Sequence, residues 1–343
     1  MSVTSQVTNF QDIYTDILNR ARADASLTAT SNQAKRYANI ALHDMHLGFE
    51  YRLPWTIRRA EIRTHDDYTT GTVSVSVGAT ALTGVSTLWN TANSYAQNNA
   101  RTTGKLLLAG GSDIYRISAV GSDTSITLQE RYVADSAASA ATYIYYEDEY
   151  ALASDFLRPV DFRIFSQVAE IPLMNRQEFH RAYPRPNTAG RPKLATILDL
   201  GVSGSTALVK RVQFYPYPDG VFIIPYDYIT ANVGVTSAGV EATLLSGDTD
   251  EPLMPLRYRH AIVFGAMYHW YRDKKNDARS MAMKSEYVDI MLRISSDFDI
   301  GTYPKAKLQP NMSLYTNYAH RPYRRGMLRG RGYDLNGNFD RLL

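Results

Sequence analysis

Hydrophobic positions along this chain change period twice. Near the start they recur every three or four residues: Ile13, Ile17 and Leu18 predict a helix over 10–25. Arg20 and Arg22 fall toward its C-terminal end, where the helix dipole favours cations. A second helix is predicted to open near Thr30 or Ser31, with Tyr37, Ile40, Ala41, Met45 and Phe49 on one face and Gly48 and Pro54 marking its end. Trp55 reads as a core or hinge residue, and Arg58 and Arg59 lead onward from it.

From Gly71 to Tyr150 the period becomes two. TVSV, GKLLLAGG, DIYRISAVG, TSITLQERY and ATYIYYEDEY alternate apolar with polar residues and are separated by Gly and Ser-Asp turns, the signature of strands and hairpins. The following DFLRPVDFRIF reads as a link. A short charged stretch around MNRQEFHRAYPRP predicts a turn of helix running into extended chain. Three strands are predicted next, KLATILDL, VKRVQFYPYP and VFIIPYDYI. Pro218-Asp219-Gly220 is read as a hairpin turn between the last two. Pro225 places the last strand at an edge or a bulge, and 230–255 reads as a loop.

The helical period then returns. Ala261, Phe264, Gly265, Tyr268 and Tyr271 predict a helix from Leu256 to Asp273, closed by Lys274, Lys275 and Asn276. Met281, Tyr287, Val288, Met291 and Leu292 predict another over 278–295. These two make an antiparallel hairpin, which with the N-terminal pair gives a four-helix bundle. The expected class is α+β: a helical-bundle core with an inserted all-β module, a small additional β region and an extended C-terminal arm. The expected boundaries are 1–68 for the N-terminal helices, 69–150 for the β module, 151–254 for the link and small β region, 255–298 for the helical hairpin and 299–343 for the arm.

Composition adds three constraints. None of the 343 residues is cysteine, which excludes disulfides, thiolate nucleophiles and cysteine-ligated metals. The 25 tyrosines against 11 Phe and 3 Trp suit protein interfaces, because the ring is rigid and apolar with a polar tip. The charge is uneven: residues 301–343 carry a net +6, leaving −3 for the first 300 of a chain whose total is +3. No basic-then-apolar leader and no long apolar run are read, so neither export by signal peptide nor membrane insertion is expected.

The search for chemistry nominates no catalytic, cofactor-binding or metal-binding residue. His43 and His46 are three residues apart on one helix without a third ligand. His65, His180, His260, His269 and His320 form no spacing that suggests a metal. Glu147, Asp148 and Glu149 are the densest acidic run and read as a solvated strand end. Asp248, Asp250 and Glu251 match a calcium loop only loosely. The glycines of 108–113 and 201–205 read as turns, and no phosphate loop or nucleophile elbow occurs.

The arm is more suggestive. Leu308, Met312, Leu314, Tyr315, Tyr318 and Tyr323 give it more apolar and aromatic anchors than an inert tail needs. Lys305, Lys307, Arg324, Arg325, Arg329 and Arg331 give it charge. A segment of this kind suits ordering on an acidic partner. Its Arg-Gly run would also suit a nucleic-acid backbone.

The order of these pieces resembles the head-to-tail adaptor, or connector, proteins of tailed bacteriophages. The resemblance rests on SNQAKRYANIALHDMHLGFEYRLPWTIRRAEI, GTVSVSVGATALTGVSTLW, GGSDIYRISAVGSDTSITL, YIYYEDEYALASDF and DTDEPLMPLRYRHAIVFGAMYHWYRDKKNDARSMAMKSEYVDIM. It implies a structural virion protein of the neck, assembled in the host bacterial cytoplasm, that forms a dodecameric ring under the portal. The arm residues named above would bind the portal protein, and the opposite face would meet tail, nozzle or fibre proteins. Double-stranded DNA would pass through the channel during packaging and ejection without sequence-specific binding. The alternatives are another tail or fibre-attachment protein, or a nucleic-acid-binding packaging factor; an enzyme is not expected.

Overall fold

The computed structural model describes residues 7–48, 53–109, 111, 113–164, 169–184, 187–201 and 208–298. In chain order its helices and strands are α1 (Phe10–Ala21), α2 (Thr28–Gly48), β1 (Ile57–Arg63), β2 (Thr72–Val75), β3 (Ala81–Val85), β4 (Lys105–Leu108), β5 (Ile114–Ser122), β6 (Ser125–Leu128), β7 (Ala138–Ala141), β8 (Tyr143–Tyr146), β9 (Glu149–Ala151), β10 (Phe156–Ile164) and β11 (Ala169–Glu170). There follow α3 (Arg176–Ala182), β12 (Leu194–Gly201), β13 (Leu208–Tyr215), β14 (Ile223–Thr230), β15 (Gly234–Val235), β16 (Glu241–Ala242), β17 (Glu251–Pro252), α4 (His260–Asp273) and α5 (Asp277–Asp297). The class is α+β. The chain divides into two compact units, one built from the segments before Ile57 and after Asn232, the other from Ile57–Asn232.

In the helical unit, α1 starts where Asn9 and Asp12 form a reciprocal capping box, and it stops at Ala21 because Arg22 turns into the left-handed region at φ 51°. That is four residues short of the predicted end. Asn276 caps α5 by accepting the Arg279 N–H. Helix α4 packs against α1, α2 and α5. Its buried residues Ala261, Ile262, Val263, Gly265, Ala266, Met267 and Trp270 surround it, as expected of a helix enclosed by others. The four helices share one core with Phe10, Ile13, Ile17, Ala34, Ala38, Leu42, Met45, Ile290, Met291 and Ile294.

Small side chains set the closeness of this packing. A Cβ at Gly265 would lie 3.0 Å from the Ala41 Cβ and 3.2 Å from the Tyr287 ring. Gly265→Val is therefore expected to overpack the point where α2, α4 and α5 meet and to cost about 1–3 kcal/mol, measured by urea denaturation. An unchanged midpoint would show that the helices can part there without cost.

Two expectations for this unit are corrected. Of the residues whose spacing predicted α5, Met281, Val288 and Leu292 are exposed by 63%, 38% and 53%, while Met291 is buried. Ser280, Ile290 and Ile294 turn inward with it, since apolar residues on several faces of α5 left its phase open. The predicted loop 230–255 contains a small sheet of order β16-β15-β17. Its Val233, Leu245 and Met254 join the helical core, and Asn39 exchanges two hydrogen bonds with the Leu245 backbone.

The second unit holds two cores. One lies in a seven-stranded sheet of order β7-β2-β3-β6-β5-β4-β8 and is built around Trp89, Tyr143, Tyr145, Leu106, Ile117 and Ile126. The other gathers Phe162, Val212, Phe214, Ile224, Tyr226 and Tyr228 from a four-stranded sheet, β1-β14-β10-β11, and a three-stranded one, β12-β13-β9. The supposed link DFLRPVDFRIF is strand β10, with register shifts on either side of Pro159. Arg58 and Arg59 lie in β1, which pairs with β14 and with no strand of the seven-stranded sheet.

The hairpin expected at Pro218-Asp219-Gly220 does not form, because β13 and β14 belong to different sheets. The backbone of Tyr217 is taken by another segment: its N–H donates to Thr188 O, and its carbonyl accepts from the Gly190 N–H. Pro225 was expected to mark an edge or a bulge; strand β14 is interior, and its pairing with β10 carries register shifts. Pro225 is tolerated there because it lies one position past Tyr226, the last β14 residue paired with β10.

Candidate functional site

The acidic triplet Glu147–Asp148–Glu149 sits where one stretch of chain changes sheets. Strand β8 pairs with β4 in the seven-stranded sheet; three residues later β9 pairs with β13 in the three-stranded one. The triplet is not the solvated strand end expected from its charge. Glu147 is 1% exposed, Asp148 0% and Glu149 5%.

Three cations from the seven-stranded sheet and the approach to it make this burial possible. Lys105, Arg116 and Tyr146 are cross-strand partners in one row over β5, β4 and β8, so their side chains share a face. Asp148, two residues beyond Tyr146, continues toward that face. The Lys105 ammonium lies 2.7 Å from Asp148 Oδ2 and 2.9 Å from Glu149 Oε1, and Arg116 adds a contact to Glu149 at 3.5 Å. From the other sheet, Gln213 Nε2 donates to Asp148 Oδ2 at 2.7 Å.

Glu147 is held separately. Arg101 grips it with two guanidinium nitrogens, Nε at 2.8 Å and Nη2 at 2.5 Å, and the Tyr145 hydroxyl donates to the same carboxylate. That hydroxyl also accepts the Arg101 N–H at 2.9 Å. The Tyr145 ring lies over Gly104, where a Cβ would come within 2.1 Å of it. Burial pushes the Asp148 carboxyl above its ordinary value, and the neighbouring Glu149 adds to this against the pull of Lys105. Burial also works to raise Glu149, but Lys105, Arg116 and Arg211 outweigh it and hold Glu149 low.

Chemically the arrangement neutralises three carboxylates and splices two sheets. Each carboxylate is already engaged by a cation. Beside it lies a cleft of 550 Å³ with Lys105, Arg116, His180 and Gln213 in its wall. Asp113 and Glu130 oppose Arg116 and Arg131 there, so the cleft has no single sign of charge.

Other acidic and histidine side chains weighed in the sequence also have local uses. Asp250 accepts the Ser246 and Gly247 N–H groups at 2.8 and 2.7 Å, closing a turn. Asp248 pairs with Lys35, and Glu251 pairs with Arg259. His269 meets Asp44 at 2.9 Å, while His46 Nδ1 faces the Leu42 carbonyl one turn back. Among the described residues, no group of three or more His, Asp or Glu is placed to hold a metal ion, and no helix is long and apolar enough to cross a membrane.

At the end of α5, Phe298 packs edge-on against Trp55 and Tyr258, with ring centroids 5.5 and 5.8 Å away. The Arg257 guanidinium stacks over Tyr258 at 4.6 Å, and the Tyr258 hydroxyl donates to Asp297 at 2.5 Å. Trp55 is thus half-buried, packed against the core of the helical unit and against Phe298 at the end of α5. The arm nominated as portal-binding, from Lys305 and Lys307 through Leu308, Met312, Leu314, Tyr315, Tyr318 and Tyr323 to Arg324, Arg325, Arg329 and Arg331, lies outside the described residues.

Sequence reasoning missed Arg101, Lys105 and Arg116 as partners of the triplet. One signal pointed to Lys105: a lone lysine opens the otherwise apolar KLLL strand. No family model matches the chain, and no curated protein matches it in sequence.

Proposed function

We propose that this chain is a head-to-tail adaptor of a tailed bacteriophage, a non-enzymatic ring subunit that docks under a portal and joins capsid to tail. The observation that carries the reading is the arrangement of the helical unit. Helices from both ends of the described chain share one core around α4, and an entire β-rich unit is inserted between Thr56 and Val233. The resemblance implies a helical-bundle core of this kind.

Two further features support it. The last turn of α5 is fixed by Trp55, Tyr258 and Phe298, which gives the basic segment beyond it a rigid point of departure. Met281, Val288 and Leu292 leave an apolar stripe exposed along α5, a surface suited to a neighbouring copy in a ring, where one face of each subunit meets a different face of the next.

In this reading the arm clasps an acidic portal surface, and its arginines set the salt dependence of docking. Replacing Arg324, Arg325, Arg329 and Arg331 with Gln in the full chain is expected to weaken association with the cognate portal and flatten its dependence on ionic strength. Surface-immobilised portal at low and high salt provides the measurement. Unaltered portal binding in the variant would remove the arm from the interface. Salt-steep binding of the unmodified chain to duplex DNA, tighter than to portal, would favour a packaging factor.

A further inference from the structure

Glu149 also lines a second, smaller cavity of 110 Å³, with room for a few waters or one small ion. One wall belongs to the seven-stranded sheet, which supplies Lys105 of β4, Arg116 of β5 and Gln129 just past β6. Lys105 and Arg116 are cross-strand partners, and the Gln129 N–H donates to the Arg116 carbonyl at 2.8 Å, so strand pairing brings the three together. The other wall belongs to the three-stranded sheet, which supplies Glu149 of β9 and Arg211 of β13. Gln213 is the partner of Glu149 across that pair, and Arg211, two positions earlier, lies on the same face of the strand.

The charges around this cavity do not cancel. Among the described residues Glu149 is the one carboxylate in its wall, against the cations Lys105, Arg116 and Arg211. Lys105 is divided between Glu149 and Asp148, and Arg116 reaches Glu149 at 3.5 Å. Counting both carboxylates, three positive charges meet two negative ones, which leaves one positive charge over. Glu147 does not alter the count, because Arg101 neutralises it. Arg211 carries the excess. It acts on Glu149 through its charge, yet its Nε is buried without a hydrogen-bond partner, and a buried N–H left unpaired is costly.

An unpaired donor, a surplus positive charge and a small volume together call for an acceptor that carries negative charge. Water would satisfy the N–H and leave the charge. A cation would be repelled by the three already there. A small oxyanion answers both needs, and a guanidinium meets such a group with parallel N–H donors. Thr102 and Thr103 bring hydroxyl donors to the same wall. Thr102 and Gln129 are exposed, so an ion has access from solvent. Glu149 is the adverse neighbour, and Lys105 at 2.9 Å offsets its charge.

We propose that this cavity is a binding site for a small inorganic oxyanion of the phosphate type, held between Arg211 of the three-stranded sheet and Arg116 of the seven-stranded one. The bound ion pairs the surplus charge, accepts the Arg211 N–H and adds a second tie between sheets that the triplet already splices. Such a site is independent of the adaptor reading.

Inorganic phosphate titrated into the full chain tests the site, with chloride holding the ionic strength fixed. The Arg211 Nε–Hε resonance, identified by its contacts with the cross-strand partners Leu198 and Ala151, is expected to move and to saturate. The thermal midpoint should rise over the same phosphate range, because the ion binds the folded chain alone. Arg211→Gln is expected to weaken binding about tenfold or more, the usual worth of a hydrogen bond to a charged group. What then remains is the general stabilisation that phosphate gives any folded chain. An Arg211 resonance that stays in place throughout would overturn the proposal. So would a phosphate-dependent rise in midpoint that is equal in the two proteins. Should the variant fail to fold, the resonance titration of the unmodified chain decides.

Discussion

Lys105→Met is expected to lower the stability of the β-rich unit by about 3–5 kcal/mol, the usual consequence of removing one partner from a buried ion pair. The side chain is 8% exposed, and its ammonium touches two carboxylates at 2.7 and 2.9 Å. Without it, Asp148 keeps only the amide of Gln213, and Glu149 keeps Arg116 at 3.5 Å. Methionine fills nearly the same volume, so the loss reports charge rather than a cavity. Restoring neutrality should recover much of it: Lys105→Met with Asp148→Leu is expected to be markedly more stable than Lys105→Met alone. Urea unfolding followed by tyrosine fluorescence gives both values. A single-variant loss below about 1 kcal/mol, the range of an exposed pair, would mean that water reaches the triplet.

Trp89→Ala is expected to cost about 3–5 kcal/mol through the cavity it leaves in the seven-stranded sheet's core. Trp89 is fully buried, and its ring meets Tyr143 edge-on with centroids 5.8 Å apart. Its indole N–H donates to the Tyr143 hydroxyl at 2.9 Å, and that hydroxyl donates in turn to the Thr70 carbonyl at 2.7 Å. The indole thus joins the segment between β3 and β4, strand β8 and the approach to β2. Trp89→Phe retains the ring and should lose less, mainly the hydrogen bond. Equal losses in the two variants would place the energy in the N–H rather than in the packing.

What the sequence revealed, and what it hid, follow from the range of the forces involved. Strands such as Thr72–Val75 and Ser125–Leu128 were legible because inward and outward residues alternate within a few positions. Helix α4 was legible from apolar residues at helical spacing, although its buried residues surround it rather than line one face. Pairing was not. Pro218-Asp219-Gly220 is a turn, but whether it makes a hairpin depends on Thr188 and Gly190, which occupy the backbone of Tyr217.

The acidic triplet failed for a related reason. Three adjacent carboxylates suggest solvent until their cations are located, and Arg101 is 46 residues away from Glu147. In α5, Met281, Val288 and Leu292 shared a helical face with no hint that Ile290 and Ile294 on another face would prevail.

The adaptor reading makes a claim about assembly, and mass measures assembly directly. The purified chain and a version ending at Gly301 are each passed through a sizing column with light scattering, alone and mixed with the cognate portal. The full chain is expected to add the mass of about twelve subunits to the portal, and the shortened chain to add none. No added mass with the full chain at any ionic strength would contradict the account; an undiminished increment with the shortened chain would contradict the role given to the arm.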